Sequence, residues 1–513
     1  MMPQIGTAPI LSQMPTRRSQ TQTMNDISNP SPKASVYDSA YINGNWVKAA
    51  SGATYPVSNP ASGEMLARVP DMNAEDTREA IRAAHAAQPG WRSMTAKERS
   101  AILKRWHRLV VDHVDHLAEI MTAEQGKPLA EAKGEVMFGA SYIEWYAEEA
   151  KRVYGDIIPE YAPDRRILVQ KQPIGVVFAV TPWNFPSAMI PRKCAPALAA
   201  GCTVVLKPAE ATPLSGLALV KLAEEAGFPA GVFNVITTNT PSLVGDEATV
   251  NPLVSKVSFT GSTAVGKLLM KRCADTVKKV TLELGGHAPF IVFNDADIDA
   301  AVDGAIASKF RTAGQTCVCA NRFLVEDGVY DVFVEKFTAA ARKLNVGNGF
   351  QPGVDLGPLI NEKAIEKVQR HVDDAVTKGA RLLCGGERQT SSGTFYPPTV
   401  LSNVTDDMIV TQEETFGPVA PVMKFSGEAD AIRIANDTRY GLAAYVYSRD
   451  IGRVWRVADA LEAGSVGVNT GVMSTEVAPA GGMKESGIGR EGSMYGIDDF
   501  LELKYICMAG LEK

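Results

Sequence analysis

A chain of 513 residues is too long for one simple core and calls for two or three domains. Its 45% hydrophobic and 21% charged residues are ordinary for a soluble globular protein. A net charge of −6 without a basic block argues against a nucleic-acid partner, and no apolar run approaches the ~20 residues that span a bilayer.

Seven scattered cysteines (194, 202, 273, 317, 319, 384 and 507) argue against a disulfide framework and for a reducing compartment. Cys317-Val318-Cys319 has no second cysteine pair to complete a four-thiolate zinc site. His113 and His116 lie among Asp112, Asp115 and Leu117 and read as a solvated helix face, so no metal is expected. Residues 1–35, rich in Ser, Thr, Gln and Pro, read as a disordered extension. Arg17 and Arg18 are its only charges before Asp26, a poor basis for an amphipathic targeting helix. A floppy tail, or an over-long start with Met24 as initiator, is preferred, giving a cytoplasmic protein; a mitochondrial matrix location is the alternative if the tail is a transit peptide.

Residues 41–46 form a turn-rich strand region, and residues 59–63 carry the turn signals Asn-Pro and Ser-Gly. Three- and four-residue apolar spacing then predicts helices over 74–87, 96–116, 116–124 and 133–154. Residues 165–173 alternate and predict a hairpin outside the main core. From residue 174, strands (174–180, 203–206, 232–236, 256–259, 279–284) alternate with helices (188–200, 213–226, 263–273). That is a doubly wound α/β unit, with its ligand at the carboxyl ends of the strands. A second α/β series follows from about 288 to 469, with strands 289–293, 323–325, 418–425, 443–447 and 465–468 and helices 330–343 and 362–378. Residues 498–507 alternate charged and apolar and predict an amphipathic strand able to pair with another element or subunit.

The chemistry centres on Gly314-Gln315-Thr316-Cys317, a small polar loop between a predicted helix and a predicted strand, where a nucleophile is both exposed and fixed. Strand 174–180 runs into Thr181-Pro182-Trp183-Asn184-Phe185-Pro186, two prolines fixing the backbone around an amide that can donate to an oxyanion without adding charge. The next strand ends in Lys207-Pro208-Ala209-Glu210, suited to ribose hydroxyls or to a surface ion pair. Gly261-Ser262-Thr263-Ala264-Val265-Gly266-Lys267 opens a helix whose first N–H groups suit a phosphate. Leu268 stands where a P-loop has Ser or Thr, so the magnesium ligand is missing. Glu283, between Leu282 and Leu284, is suited by partial desolvation to general-base work, unless it simply faces solvent.

Together with Glu413-Glu414-Thr415-Phe416-Gly417-Pro418-Val419, these motifs occur in the order of the aldehyde dehydrogenase superfamily, which the chain resembles over about residues 40–510. Within it, Gly314 to Arg322 with its second cysteine, and residues 487–505, look most like succinate-semialdehyde dehydrogenases. The resemblance implies an α/β fold with a Rossmann-type parallel-sheet NAD-binding domain (36–154 and 174–285), an α/β catalytic domain (286–485) and a small β oligomerisation element (155–173 and 486–513). It implies that Cys317 attacks the aldehyde, Asn184 holds the oxyanion and Glu283 activates the hydrolytic water. Thr181, Pro182, Trp183, Lys207, Glu210, Gly261, Ser262, Gly266, Glu414 and Phe416 would hold the dinucleotide, NAD by preference, with NADP as a second possibility. Arg192 and Arg311 flank the two catalytic motifs, and arginines buried there call for an anion such as a substrate carboxylate; the family places a Ser from a later loop beside them, here Ser474 or Thr475. Ala480 stands where relatives often have Phe, predicting a wider pocket that takes longer semialdehydes such as glutarate semialdehyde. Cys319 reads either as a packing residue or as the partner of Cys317 in a reversible disulfide switch. The implied protein is a dimer or tetramer acting on a semialdehyde. A non-catalytic homologue is disfavoured by the intact Cys317, Glu283 and Asn184, and a coenzyme A-acylating enzyme by Glu283.

Overall fold

The computed structural model describes residues 37–388 and 393–511. The disordered extension expected over residues 1–35 lies outside them.

A short hairpin, β1 (Ala40–Ile42) and β2 (Asn45–Val47), precedes four helices: α1 (Ala74–Ser93), α2 (Ala96–Asp112), α3 (Val114–Gln125) and α4 (Leu129–Glu149). Asn73 and Thr95 start α1 and α2 with capping boxes, each side chain satisfying an otherwise orphaned N–H. Where the periodicity predicts one helix over 96–116, the chain breaks at His113, whose φ/ψ of −108/19 leaves the helical region. The predicted helix 133–154 starts earlier and ends at Glu149.

Next come β3 (Val176–Val180), α5 (Met189–Ala200), β4 (Thr203–Lys207), α6 (Pro213–Ala226), β5 (Phe233–Val235), β6 (Val254–Thr260), α7 (Thr263–Cys273) and β7 (Lys279–Glu283). They lie in the sheet order β2-β1-β5-β4-β3-β6-β7, with Gly487–Ile488 at the far edge. The five strands from β5 to β7 are parallel, and only the two edges pair antiparallel. Strand order reverses between β3 and β6, so the crevice for a ligand opens beyond Val180 and Thr260.

A second sheet uses β8 (Ala288–Val292), β9 (Ala320–Glu326), β10 (Thr399–Ser402), β11 (Val419–Phe425), β12 (Ala443–Tyr447) and β13 (Ser465–Val468), in the order β10-β11-β9-β8-β12-β13, with Arg381–Cys384 antiparallel at its edge. Helices α8 (Ile298–Phe310), α9 (Tyr330–Ala341) and α10 (Glu362–Thr377) accompany it. Each large sheet has its own apolar core. Burial of strands such as Val176–Phe178 and Phe290–Val292 on both faces accounts for their unbroken apolar runs.

The hairpin expected over 165–173 is instead one strand, Arg166–Pro173, because its two edges take different partners. Asp156–Ile158 and Leu501–Met508 flank it antiparallel in a separate three-stranded sheet. The predicted strand 498–507 begins only at Leu501, after a single turn of 3-10 helix.

Candidate active site

Between the two large sheets lies a cavity of about 670 Å³, with Cys317 in its wall. The cysteine follows α8 through Arg311–Gly314, where Thr312 and Ala313 hold φ near +50° and Gly314 +74°. Two consecutive non-glycine residues in the left-handed region cost of order 1–3 kcal/mol each and persist only when the surroundings impose them. Here the surroundings do. The Thr312 N–H donates to Glu131 at 3.0 Å, and the Gln315 amide donates to Thr312 O and Pro358 O while its oxygen accepts from the Ile360 N–H.

Asn184 comes from the segment after β3, with its side-chain amide donating to Gln315 O at 2.9 Å, two residues before the cysteine. Behind it, buried Lys127 donates to Asn184 O at 2.7 Å and pairs with Glu135, which itself accepts from the Ser187 and Ala188 N–H groups. The cation and carboxylate pin both ends of the loop.

Glu283 ends β7 with Oε1 3.8 Å from Cys317 Sγ, so the thiol faces a carboxylate able to take its proton. Burial raises the Glu283 carboxyl above its usual range; Arg192 opposes this and Glu491 adds to it. The Cys317 thiol is raised too, by burial first and by Glu283 next, with Arg192 pulling the other way. A half-buried thiol facing a buried carboxyl that pairs with a cation suits a nucleophile and a base that carry a single negative charge in turn.

Arg192, on α5, is 7% exposed and lines the cavity. Its Nη2 lies 3.0 Å from Glu283 and its Nε 2.7 Å from Glu491. Neither nitrogen has an aligned hydrogen bond, so the pairing is Coulombic rather than directed. Arg311 is half-buried in the same cavity, its guanidinium 5.5 Å from the centre of the Phe185 ring.

The far end of the cavity is lined by Pro182, Trp183, Gly261, Ser262, Glu414 and Phe416. The Phe416 and Trp183 rings meet edge to face at 5.4 Å. Ser262 caps α7, whose N-terminus carries partial positive charge. A side chain at Gly261 would meet the Phe259 ring at 2.5 Å, and one at Gly285 would meet Glu414 at 2.8 Å, so both backbones stay bare. Gly266 lets α7 pack on Leu284, which a Cβ would strike at 2.3 Å. The Thr181 hydroxyl is buried without a hydrogen-bond partner at the end of β3. Glu414 accepts from the Gly286 N–H at 3.0 Å, and burial pushes its carboxyl up to about 7 against the pull of that bond and of Lys367 and Lys309. A bare backbone at a helix start and a desolvated carboxylate along one cleft fit a dinucleotide, the first meeting an anion and the second a ribose hydroxyl; Thr181 itself does not line the cleft.

Not every expected residue lines the cavity. Lys207 and Glu210 pair with each other at 2.9 Å at the end of β4, beyond the cavity wall. Ser474 lines the cavity; Thr475 and Ala480 do not. Ala480 instead pairs its backbone with that of Glu491. Cys319 is buried, its Sγ 3.4 Å from Gly314 O and 3.7 Å from Lys309 Nζ, and it is a free thiol. His113 contacts Leu109 O and His116 contacts Tyr37. Among the described residues no cluster of three or more potential ligands is placed to hold a metal, and no helix is long and apolar enough to cross a membrane.

Sequence reasoning missed Lys127, Glu135, Lys193, Lys367 and Glu491. Lys193 beside Arg192 was the available signal: two adjacent cations in an otherwise apolar helix need buried partners. Glu491 supplies one, contacting Lys193 Nζ with one carboxylate oxygen and Arg192 with the other.

Residues 46–506 match the model of the aldehyde dehydrogenase family. The chain belongs to that family. It is 60% identical over 469 residues to the succinate-semialdehyde dehydrogenase [NADP(+)] of Escherichia coli, covering 91% of this chain and 97% of that protein. It is 59% identical over 472 residues to a glutarate-semialdehyde dehydrogenase of Pseudomonas aeruginosa, covering 92% and 98%. Among solved structures, a succinate-semialdehyde dehydrogenase from Burkholderia pseudomallei superposes with a TM-score of 0.92 at 60% identity, covering 94% of this chain and all of that one. The protein is therefore an NAD(P)-dependent aldehyde dehydrogenase.

Proposed function

We propose that this aldehyde dehydrogenase oxidises a short aldehyde ending in a carboxylate, succinate semialdehyde first and glutarate semialdehyde as its nearest alternative. The observation that carries this reading is Arg192, a buried guanidinium fork in the wall beside Cys317 whose Nη1 meets Met189 Sδ at 3.9 Å rather than a carboxylate. A carboxylate matches that fork, and Arg311 adds a second positive charge. Relatives named for both semialdehydes agree with it.

In this reading the Cys317 thiol releases its proton to solvent, and the thiolate attacks the aldehyde carbon. The Asn184 amide turns from Gln315 O to the new oxyanion, joined by the Cys317 N–H. A bound dinucleotide would supply the hydride acceptor; Gly261 and Ser262 would hold its pyrophosphate, Glu414 its nicotinamide ribose, and Phe416 and Trp183 would flank the ring. Cys317 is left as a thioester. Glu283 then takes a proton from water, the water oxygen attacks the thioester carbon, and the Cys317 thiolate leaves with the carboxylic acid as product.

Arg311→Leu tests the substrate assignment: KM for succinate semialdehyde rises about 100-fold, the loss of a charge-assisted contact, while KM for butanal changes little. An equal rise for both aldehydes would contradict it.

The adenosine end is assigned to Lys207 and Glu210, and a carboxylate there repels the extra phosphate of NADP, favouring NAD. Because Lys207 already neutralises part of that charge, NADP remains a working second cofactor. Glu210→Ser is expected to raise the NADP/NAD ratio of kcat/KM about tenfold, of the order of one like-charge contact removed; steady-state rates with each cofactor measure it.

The sheet of Asp156–Ile158, Arg166–Pro173 and Leu501–Met508 exposes Ile157, Leu503 and Tyr505, and we assign this face to contact between subunits of a dimer or tetramer. With its free cysteines the protein suits a reducing compartment, and we place it in the cytoplasm.

A further inference from the structure

Arg192 has two claimants. Its guanidinium stands 3.0 Å from the Glu283 carboxylate, and the same side chain lines the cavity in which a substrate carboxylate would lie. The groups around Glu283 are few. From α5 come Arg192 and Lys193; from α4, Tyr142; from the segment after β7's edge partner, Glu491; from β6, the Thr260 hydroxyl at 3.5 Å; from the catalytic loop, Cys317. Lys193 is taken up by Glu491 and the Ser258 hydroxyl, which leaves Arg192 as the cation in direct contact with Glu283.

That contact is poorly directed. Arg192 Nε and Nη2 and one Glu491 oxygen all lack aligned hydrogen bonds, and Nη1 meets only Met189 Sδ at 3.9 Å. A carboxylate arriving along the fork of the guanidinium would form the directed bonds that Glu283 does not.

We propose that Arg192 is a counterion shared between base and substrate, so that an acyl chain ending in a carboxylate draws the guanidinium to itself and leaves Glu283 the stronger base. This rests on the semialdehyde reading above and adds to it a coupling: the far end of the correct substrate readies the group that hydrolyses its thioester. The sign follows from the charges. Arg192 pulls the Glu283 proton affinity down, so neutralising Arg192 with a substrate carboxylate lets it rise. An aldehyde without a carboxylate leaves the Arg192–Glu283 pair in place and Glu283 weakly basic.

Two four-carbon acyl groups that differ only in their far end test this. Cys317 is acylated with the nitrophenyl monoester of succinate or with nitrophenyl butyrate, and single-turnover hydrolysis is followed against pH. Wild-type enzyme is expected to hydrolyse the succinyl thioester with a pH midpoint about one unit above that of the butyryl thioester, the usual size of one charge's effect on a neighbouring carboxyl. Glu491→Gln lowers both midpoints and keeps the gap; Arg192→Gln closes it. A purely structural Arg192 would alter rates without separating the two midpoints in wild type. Equal wild-type midpoints, with KM for succinate semialdehyde still well below that for butanal, would overturn the coupling and leave the substrate assignment standing. Equal KM values for the two aldehydes would overturn the substrate assignment and the coupling with it.

Discussion

Replacing Cys317 with Ala lowers kcat/KM for every aldehyde by about 10⁴-fold or more, because Cys317 is the one thiol among the residues lining the cavity. Cofactor affinity stays near wild type, since the groups assigned to the dinucleotide lie at the ends of β3, β4 and β6 and around Glu414, apart from the cysteine. Cys319→Ser is the matched control. It lies two residues away but is buried against Gly314 O and Lys309, outside the cavity, and retains most of the activity. Steady-state rates and dinucleotide binding by fluorescence measure the pair. A Cys317→Ala enzyme within about tenfold of wild type would remove covalent catalysis altogether.

Glu283→Gln has the second largest effect, and it falls on one half of the reaction. Thioester hydrolysis slows by about 10²–10⁴-fold, the usual worth of a positioned general base. Because thiol attack forms the acyl group before that step, reduced cofactor is expected to appear in a burst close to one per active site, followed by a slow steady rate. The acyl group is retained after the burst. The neutral amide also removes a partner from Arg192, whose remaining contact is Glu491 at 2.7 Å. A loss of the burst together with the steady rate would show that Glu283 is needed for thiol activation as well, as its 3.8 Å approach to the sulfur allows.

Much of the fold was legible where local signals agreed. Thr263–Cys273 is the helix that a Ser cap after a strand announces, and Ala443–Tyr447 and Ser465–Val468 are strands with the bounds that their apolar runs suggest. The break at His113 was not legible, because neither Gly nor Pro marks it and the apolar spacing continues across it. The single strand at Arg166–Pro173 was mistaken for a hairpin because its alternation says nothing of its two partners, one of which lies more than 300 residues away.

The site divides the same way. Cys317, Asn184 and Glu283 sit in motifs whose residue types announce their chemistry, and the fold brings them to one place. The left-handed turn at Thr312 and Ala313 could not be read, since neither residue favours positive φ and the conformation is imposed by Glu131 and Gln315. Glu491 lay in a run noted only for its likeness to relatives. Its role as counterion to Arg192 and Lys193 depends on a contact across about 300 residues that no local pattern carries.

Sulfur 317 carries the acyl group and carboxylate 283 releases it. The most direct measurement is mass spectrometry of Glu283→Gln enzyme quenched after one turnover with succinate semialdehyde and NAD. The expected result is a mass increase of one succinyl group per chain, mapped to the peptide containing Cys317 and removed by hydroxylamine. An unmodified Cys317 peptide after a full burst of reduced cofactor would contradict it.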